Sequence, residues 1–223
     1  MELLQNMVDY PLFKGISVEQ IEKILKCASA KRKVFKKGSY IFSEGDAASQ
    51  VGILISGEVD IVKEDVMGNR ALIGRVGIGE TFSEHYAYTD DRTLKINALA
   101  MSECEVLLLD YNRIITPCKT TCESHAQLLI NSVRILAERV VKVIQKMDYL
   151  SKRSLREKIL EYLSYVSLSA NGDKFTIPFS RQQLADYLYV DRSALSRELG
   201  KMKEEGIIDY NKNVFTLKIQ NSI

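Results

Sequence analysis

The chain has 223 residues, of which 46% are hydrophobic, 27% charged and 8% aromatic, with only 3 Pro and 12 Gly. That length suits one or two domains with a sizeable core, so no disulfide or metal staple is required, and the composition excludes a disordered or fibrous chain. No apolar run approaches the roughly 18 residues of a membrane span, and the start Met-Glu-Leu-Leu-Gln lacks the pattern of a signal peptide. The four cysteines (Cys27, Cys104, Cys118, Cys122) have no framework spacing, so a reduced, cytoplasmic protein is expected.

The net charge of +2 is unevenly spread. Residues 1–117 carry 14 Lys/Arg against 17 Asp/Glu, residues 118–150 carry 5 against 3, and residues 151–223 carry 12 against 9. An acidic front and a mildly basic back fit a C-terminal third that approaches a polyanion, although ordinary surface variation gives the same numbers.

In chain order, Ser17-Val-Glu-Gln20 has capping-box spacing and opens a short helix with Ile21, Ile24 and Leu25 as its apolar stripe. From Val34 to Asp110 the pattern changes to short β-rich runs at Ser39–Phe42, Val51–Ile55, Val59–Lys63, Ala71–Val76, Lys95–Ala100 and Glu105–Leu109. Turn chemistry at Lys37-Gly38, Gly45-Asp46, Ser56-Gly57, Gly68-Asn69 and Gly77–Gly79 separates them, which predicts a β-sandwich or barrel.

Residues 119–150 then switch to helix. Leu129, Val133, Leu136, Val140, Val143, Met147 and Leu150 step by alternating fours and threes, an a/d seam of about three heptads. Such a seam predicts a coiled-coil homodimer; the alternative is a long helix lying on its own domain. A second capping box, Ser154-Leu-Arg-Glu157, opens a helix carrying Leu155, Ile159, Leu160 and Leu163, and Tyr149–Arg153 is a candidate hinge.

The last third has a strand at Phe175–Phe179, helices at Arg181–Leu188 and Arg192–Glu205, and a hairpin of Ile207–Tyr210 with Val214–Leu217 around Asn211-Lys-Asn. That order predicts a winged helix-turn-helix. Leu184, Ala185, Leu188, Val190, Leu195 and Leu199 would form its core, with Ser193, Ser196 and Arg197 on the outer face of the second helix and Arg192 at its start. A helix of this shape fits the major groove, and Arg reads guanine bidentately. The competing use of such a face is a protein contact or a solvated surface. Tyr189 stands at the turn position where Gly is usual, so strain is expected if φ is positive there. Two such units on a paired seam would read a palindromic operator with half-sites about one helical turn apart.

A β-roll, a long dimer helix and a C-terminal winged helix resemble the Crp/Fnr transcriptional regulators over nearly the whole chain. The matching stretches are Lys37–Asp46, Ile53–Val59, Gly79-Glu80, Arg92-Thr93 and Gln182–Gly206. The resemblance implies an α+β fold: an N-terminal antiparallel β-roll (jelly-roll, cupin-like) over residues 1–117 as sensor, a dimerisation helix over 118–150, and a DNA-binding winged helix-turn-helix over 151–223. It also implies a ligand- or redox-gated DNA binder that recruits or blocks RNA polymerase. Arg181 and Gln182 would then lie near phosphates while Arg192, Ser193, Ser196 and Arg197 face bases. Many members carry Glu where this chain has Ser193, which sets its operator apart from the usual consensus.

The gate is less legible. Gly79, Glu80, Arg92 and Thr93 match in kind the cassette with which cyclic-nucleotide-binding members hold ribose and phosphate, and an Arg with hydroxyl neighbours is a sensible phosphate clamp. Yet the intervening loop is longer than the cyclic-AMP pattern and contains Glu84, Asp90 and Asp91, and Val143 and Ile144 stand where hydroxyl side chains would contact the base. A cyclic nucleotide is therefore not expected. Nor is an iron–sulphur cluster, because only Cys27 lies near the N-terminus. Tyr86 and Tyr88 could line an aromatic effector pocket or simply pack in the roll. Cys118, Cys122 and His125 share a helical face that suits zinc or a redox switch, but a fourth ligand is lacking, so no metal is expected. His85 reads as a loop residue. A cupin-like enzyme needs clustered metal ligands, and the chain has only 2 His. What remains is a gated DNA-binding regulator or, alternatively, a constitutive one whose sensor is degenerate.

Overall fold

The computed structural model describes residues 2–67, 70–87, 89–116, 123–170 and 172–218. The chain divides into two compact units, Met1–Arg139 and Val140–Ile223, with the boundary inside one long helix.

In the first unit, α1 (Glu2–Met7), a 3-10 turn (Pro11–Phe13) and α2 (Val18–Cys27) precede the strands. The predicted box at α2 is closed from both sides, Ser17 Oγ accepting from Gln20 N–H and Gln20 Oε1 from Ser17 N–H. Eight strands follow: β1 (Lys31–Phe35), β2 (Tyr40–Phe42), β3 (Gln50–Ser56), β4 (Val59–Glu64), β5 (Arg70–Val76), β6 (Thr81–Phe82), β7 (Asn97–Ala100) and β8 (Cys104–Asp110). They form two antiparallel four-stranded sheets, ordered β1-β8-β3-β6 and β2-β7-β4-β5. The roll is thus as expected, apart from α1, β1, β6, α3 (Glu84–Ala87) and α4 (Tyr111–Ile115), which the sequence pattern did not announce.

The unbroken apolar run Val106-Leu-Leu-Leu109 follows from burial of β8 on both faces. Val106 and Leu108 join Leu54, Val59, Val76 and Phe82 between the sheets. Leu107 and Leu109 face a second cluster with Phe13, Ile21, Ile24, Leu128 and Ile135. The last two belong to α5 (Glu123–Ser151). Asn131, buried on that same helix face, donates through Nδ2 to the carbonyls of Leu12 and Lys14 at 3.0 and 2.8 Å. The side of α5 turned to its own roll is therefore Leu128, Asn131, Ser132 and Ile135, all buried.

In the second unit, α6 (Leu155–Ser169), β9 (Lys174–Thr176), α7 (Arg181–Leu188), α8 (Arg192–Glu204), β10 (Ile208–Asn211) and β11 (Val214–Leu217) follow the predicted order. Capping boxes start α6 at Ser154/Glu157 and α7 at Ser180/Gln183. The three strands pair in the order β10-β11-β9 as the wing. Leu184, Ala185, Leu188, Leu195, Leu199 and Met202 are fully buried where α7 and α8 cross.

Candidate functional site

The outward face of α8 starts from its cap. Asp191 Oδ1 accepts from Ala194 N–H at 2.9 Å and from the Ser193 hydroxyl, which together hold this carboxyl below its usual range. Leu195 and Leu199 fix the inward face, so Arg192, Ser193, Ser196 and Arg197 are left exposed side by side. The turn before the cap is left-handed: Tyr189 has φ 56 and ψ 49, the strained conformation that the missing glycine foreshadowed.

The two residues expected near phosphates sit differently. Gln182 is exposed and donates to Asp186 Oδ1 at 2.8 Å. Arg181 lies over the wing, its guanidinium carbon 4.6 Å from the Tyr210 ring centre and 4.9 Å from that of Phe215, and burial lowers its pKa. It therefore ties the start of α7 to β10 and β11. Lys212, with φ 54 at the exposed wing tip, was not singled out from sequence; a basic residue in a two-strand hairpin was the available signal.

On α5, Val133, Val140, Val143 and Met147 of the predicted seam are exposed, whereas Leu129, Leu136 and Leu150 are half-buried within their own chain. Ile130, Ala137 and Ile144 are exposed too. With Val133, Val140 and Met147 they step by three and four along one stripe, a full a/d pattern displaced by one residue on one side.

In the roll, each cassette residue has a structural partner of its own. Gly79 has φ +82 and lies under Tyr10, whose ring would stand 2.6 Å from an added Cβ, so both conformation and space call for glycine. Glu80 accepts from Gly77 N–H at 3.0 Å, closing its own turn. Arg92, exposed at φ 45, donates to Asn112 Oδ1 at 3.1 Å, and Thr93 donates to Asp91. Between them, Glu84 on α3 is buried with its carboxylate 2.8 Å from Arg139 Nε on α5, and Arg139 also donates to the Thr81 carbonyl. Burial dominates over Arg139 and raises the Glu84 pKa. The His85 ring lies tilted against that of Tyr86, their centres 4.3 Å apart, and burial, helped by Arg139, pulls its pKa down to about 4. Tyr86 itself packs against the core between the roll and the helices. Tyr88, Cys118 and Cys122 lie outside the described residues.

His125, which shares its i, i+4, i+7 spacing with Cys118 and Cys122, is buried with Nε2 against the Ile114 carbonyl, which fixes the start of α5 to α4. No cluster of His, Cys, Asp and Glu suited to a metal occurs among the described residues. The groove of 380 Å³ on the roll is lined by Lys33, Phe35, Phe42, Gln50 and Leu94 among others, and contains none of the cassette residues. No described helix is long and apolar enough to cross a membrane.

Residues 32–120 match the family described as cyclic nucleotide-binding domain, and residues 138–221 match the Crp-like helix-turn-helix domain. The chain is 26% identical over 201 residues to the cyclic AMP receptor protein of Thermus thermophilus, covering 89% of this chain and 88% of that one. It is 24% identical over 195 residues to the CRP-like protein Clp of Xanthomonas campestris, covering 84% and 83%. Among solved structures, the c-di-GMP responsive regulator CLP of Xanthomonas campestris superposes with a TM-score of 0.71 at 22% identity, over 92% of this chain and 100% of that one. A mutant of CooA from Carboxydothermus hydrogenoformans also gives 0.71, at 16% identity over 88% and 86%.

Proposed function

The chain belongs to the Crp/Fnr family of transcription regulators and is not an enzyme; from that premise we propose that it acts as a homodimer reading a palindromic operator. The carrying observation is the outward face of α8, where Arg192, Ser193, Ser196 and Arg197 are exposed on a capped helix with its hydrophobic side fully buried. In this reading α8 enters the major groove, Arg192 and Arg197 contact base edges, and Gln182 and Lys212 approach phosphates. Arg181 serves indirectly, by fixing the wing. Ser193 shares its hydroxyl with Asp191, so its base contact is the weaker one.

The dimer forms along Ile130, Val133, Ala137, Val140, Ile144 and Met147 of α5, within a dimerisation segment (118–150) that lies in the chain between a sensor roll (1–117) and the DNA reader (151–223). Apolar residues exposed at unbroken heptad spacing on the side of the helix opposite Leu128 and Ile135 support this. Operator binding in turn positions the dimer to recruit or block RNA polymerase.

The roll is gated by a small-molecule or redox effector. Relatives are named for cyclic AMP and c-di-GMP, but in this chain Arg92 is turned to Asn112, and the segment between Glu80 and Arg92 carries a buried carboxylate, Glu84, paired with Arg139. An anionic phosphate there would face Glu84, so the effector is not a cyclic nucleotide held in this arrangement. The same observation supports a second reading, a constitutive regulator whose sensor is degenerate. Selection of duplex DNA by the purified protein, alone and with cyclic AMP or c-di-GMP, tests all of this. A palindrome enriched without nucleotide and unchanged by it supports the dimeric reader; enrichment only with nucleotide overturns the effector reading, and no enrichment under any condition overturns the constitutive reading.

A further inference from the structure

The second unit holds a cation that the proposed reading of DNA by α8 does not use. Lys146, in the penultimate turn of α5, places Nζ 3.7 Å from the centre of the Tyr187 ring and 5.4 Å from that of Tyr189. Three residues on, Tyr149 is buried, and its hydroxyl donates to that of Tyr187 at 2.7 Å. Tyr162 of α6 and Phe179 approach the same Tyr187 ring, with centres 5.7 and 4.6 Å away. The first helix of the DNA reader is thus gripped by α5 and α6 through one side chain.

Two residues beyond Tyr187 comes Tyr189, whose left-handed backbone an L side chain adopts only at a cost. Such strain persists where the surroundings over-determine it. Its amide closes the end of α7 onto the Ala185 and Asp186 carbonyls, and Asp191, two residues later, caps α8. The angle between the two helices is therefore set at Tyr189. A glycine would take this φ freely; a tyrosine adds a ring, and that ring lies beside Lys146.

We propose that Lys146 is a positioning residue for DNA reading: seated over Tyr187 and beside Tyr189, its ammonium holds the left-handed turn that aims α8. The attraction between a cation and an aromatic face grows as both leave water. Burial pulls the Lys146 pKa down to about 7, so its removal from water carries a cost that the ring faces offset. Burial likewise pushes the hydroxyls of Tyr149, Tyr162, Tyr187 and Tyr189 up.

The proposal rests on α8 being the DNA reader, and its test keeps the two apart. Wild type, Lys146→Met, Lys146→Arg, Tyr189→Gly and the Lys146→Met/Tyr189→Gly double variant are compared at pH 6, where Lys146 is charged, by thermal melting and by anisotropy on a selected operator. Lys146→Met is expected to bind the operator about tenfold more weakly, and Lys146→Arg to restore most of the loss because guanidinium also stacks on rings. Tyr189→Gly, relieved of strain, is expected to melt no lower than wild type yet to bind more weakly. Adding Lys146→Met to it should cost less, in both melting and binding, than in wild type. Wild-type affinity in Lys146→Met, or equal losses in the two backgrounds, overturns the proposal. Melting alone reads the coupling of 146 to 189 without DNA, so a wild type that selects no operator counts against α8 as reader and not against the clamp.

Discussion

Glu84 and Arg139 meet at 2.8 Å inside the first unit, and burial nevertheless raises the pKa of the carboxyl. Loss of hydration outweighs the attraction of the guanidinium, the usual balance for a buried ion pair. The two partners are therefore unequal. Glu84→Gln, which keeps an acceptor for Arg139 and removes the charge, should change stability by less than about 1 kcal/mol at pH 7. Arg139→Met strands a buried carboxylate and should cost about 3 kcal/mol. Urea denaturation of the two variants checks this; equal losses would mean that the Coulomb term dominates.

His85 supplies a pH dependence of known sign. Its pKa is about 4 in the fold against 6.5 ordinarily, so between those values the unfolded chain binds the extra proton. Stability from this group is complete above pH 6.5 and is lost as pH falls toward 4. His85→Asn, which does not titrate, should lose at least about 1 kcal/mol less than wild type between pH 7 and pH 4.5, after allowance for partial exposure. Parallel losses in the two proteins would place the acid sensitivity elsewhere.

Asn131 satisfies two carbonyls of the N-terminal segment from α5 while accepting from Gln127 Nε2 at 3.0 Å. Replacing it by Leu keeps the volume and orphans the Leu12 and Lys14 carbonyls. A loss of about 2 kcal/mol is expected in equilibrium unfolding, with amide exchange accelerated over residues 10–16. A neutral Asn131→Leu would show that water reaches those carbonyls.

Along the stripe of α5, Val140 and Ile144 are 58% and 61% exposed in the single chain. Val140→Glu would place like charges opposite each other at the centre of the proposed seam. The dimer should weaken about 100-fold with helical circular dichroism retained, as read by sedimentation velocity. An unchanged sedimentation coefficient would move the seam off this stripe.

How far the sequence spoke depends on the range of the interaction. The capping boxes read at Ser17 and Ser154 are signals four residues long, and each marks a real helix start; the box at Ser180 was there to be read as well. The burial of Leu195 and Leu199 follows from period alone, which made the α8 face legible. β1 was missed because Lys31, Arg32 and Lys33 look solvated; they are, since the strand is an edge paired only to β8, and charge suits such an edge. Adjacent apolar pairs such as Leu129-Ile130 and Leu136-Ala137 let two seams one residue apart satisfy the same heptad, and only the partial burial of Leu129 and Leu136 within their own chain separates them. Contacts such as Glu84 with Arg139, or Arg181 with Tyr210, join distant segments and leave no periodic trace.

Whether α8 is the reader of sequence is decided at Arg197, exposed on its outward face. Affinities of wild type and Arg197→Ala are measured across a selected operator and every single-base variant of it, at two salt concentrations. The account predicts a loss of about 1–3 kcal/mol on the operator, with discrimination relaxed at one base pair of each half-site and retained elsewhere. Uniform weakening on all sequences with a shallower salt dependence would make Arg197 a phosphate contact and contradict the placement of α8 in the groove.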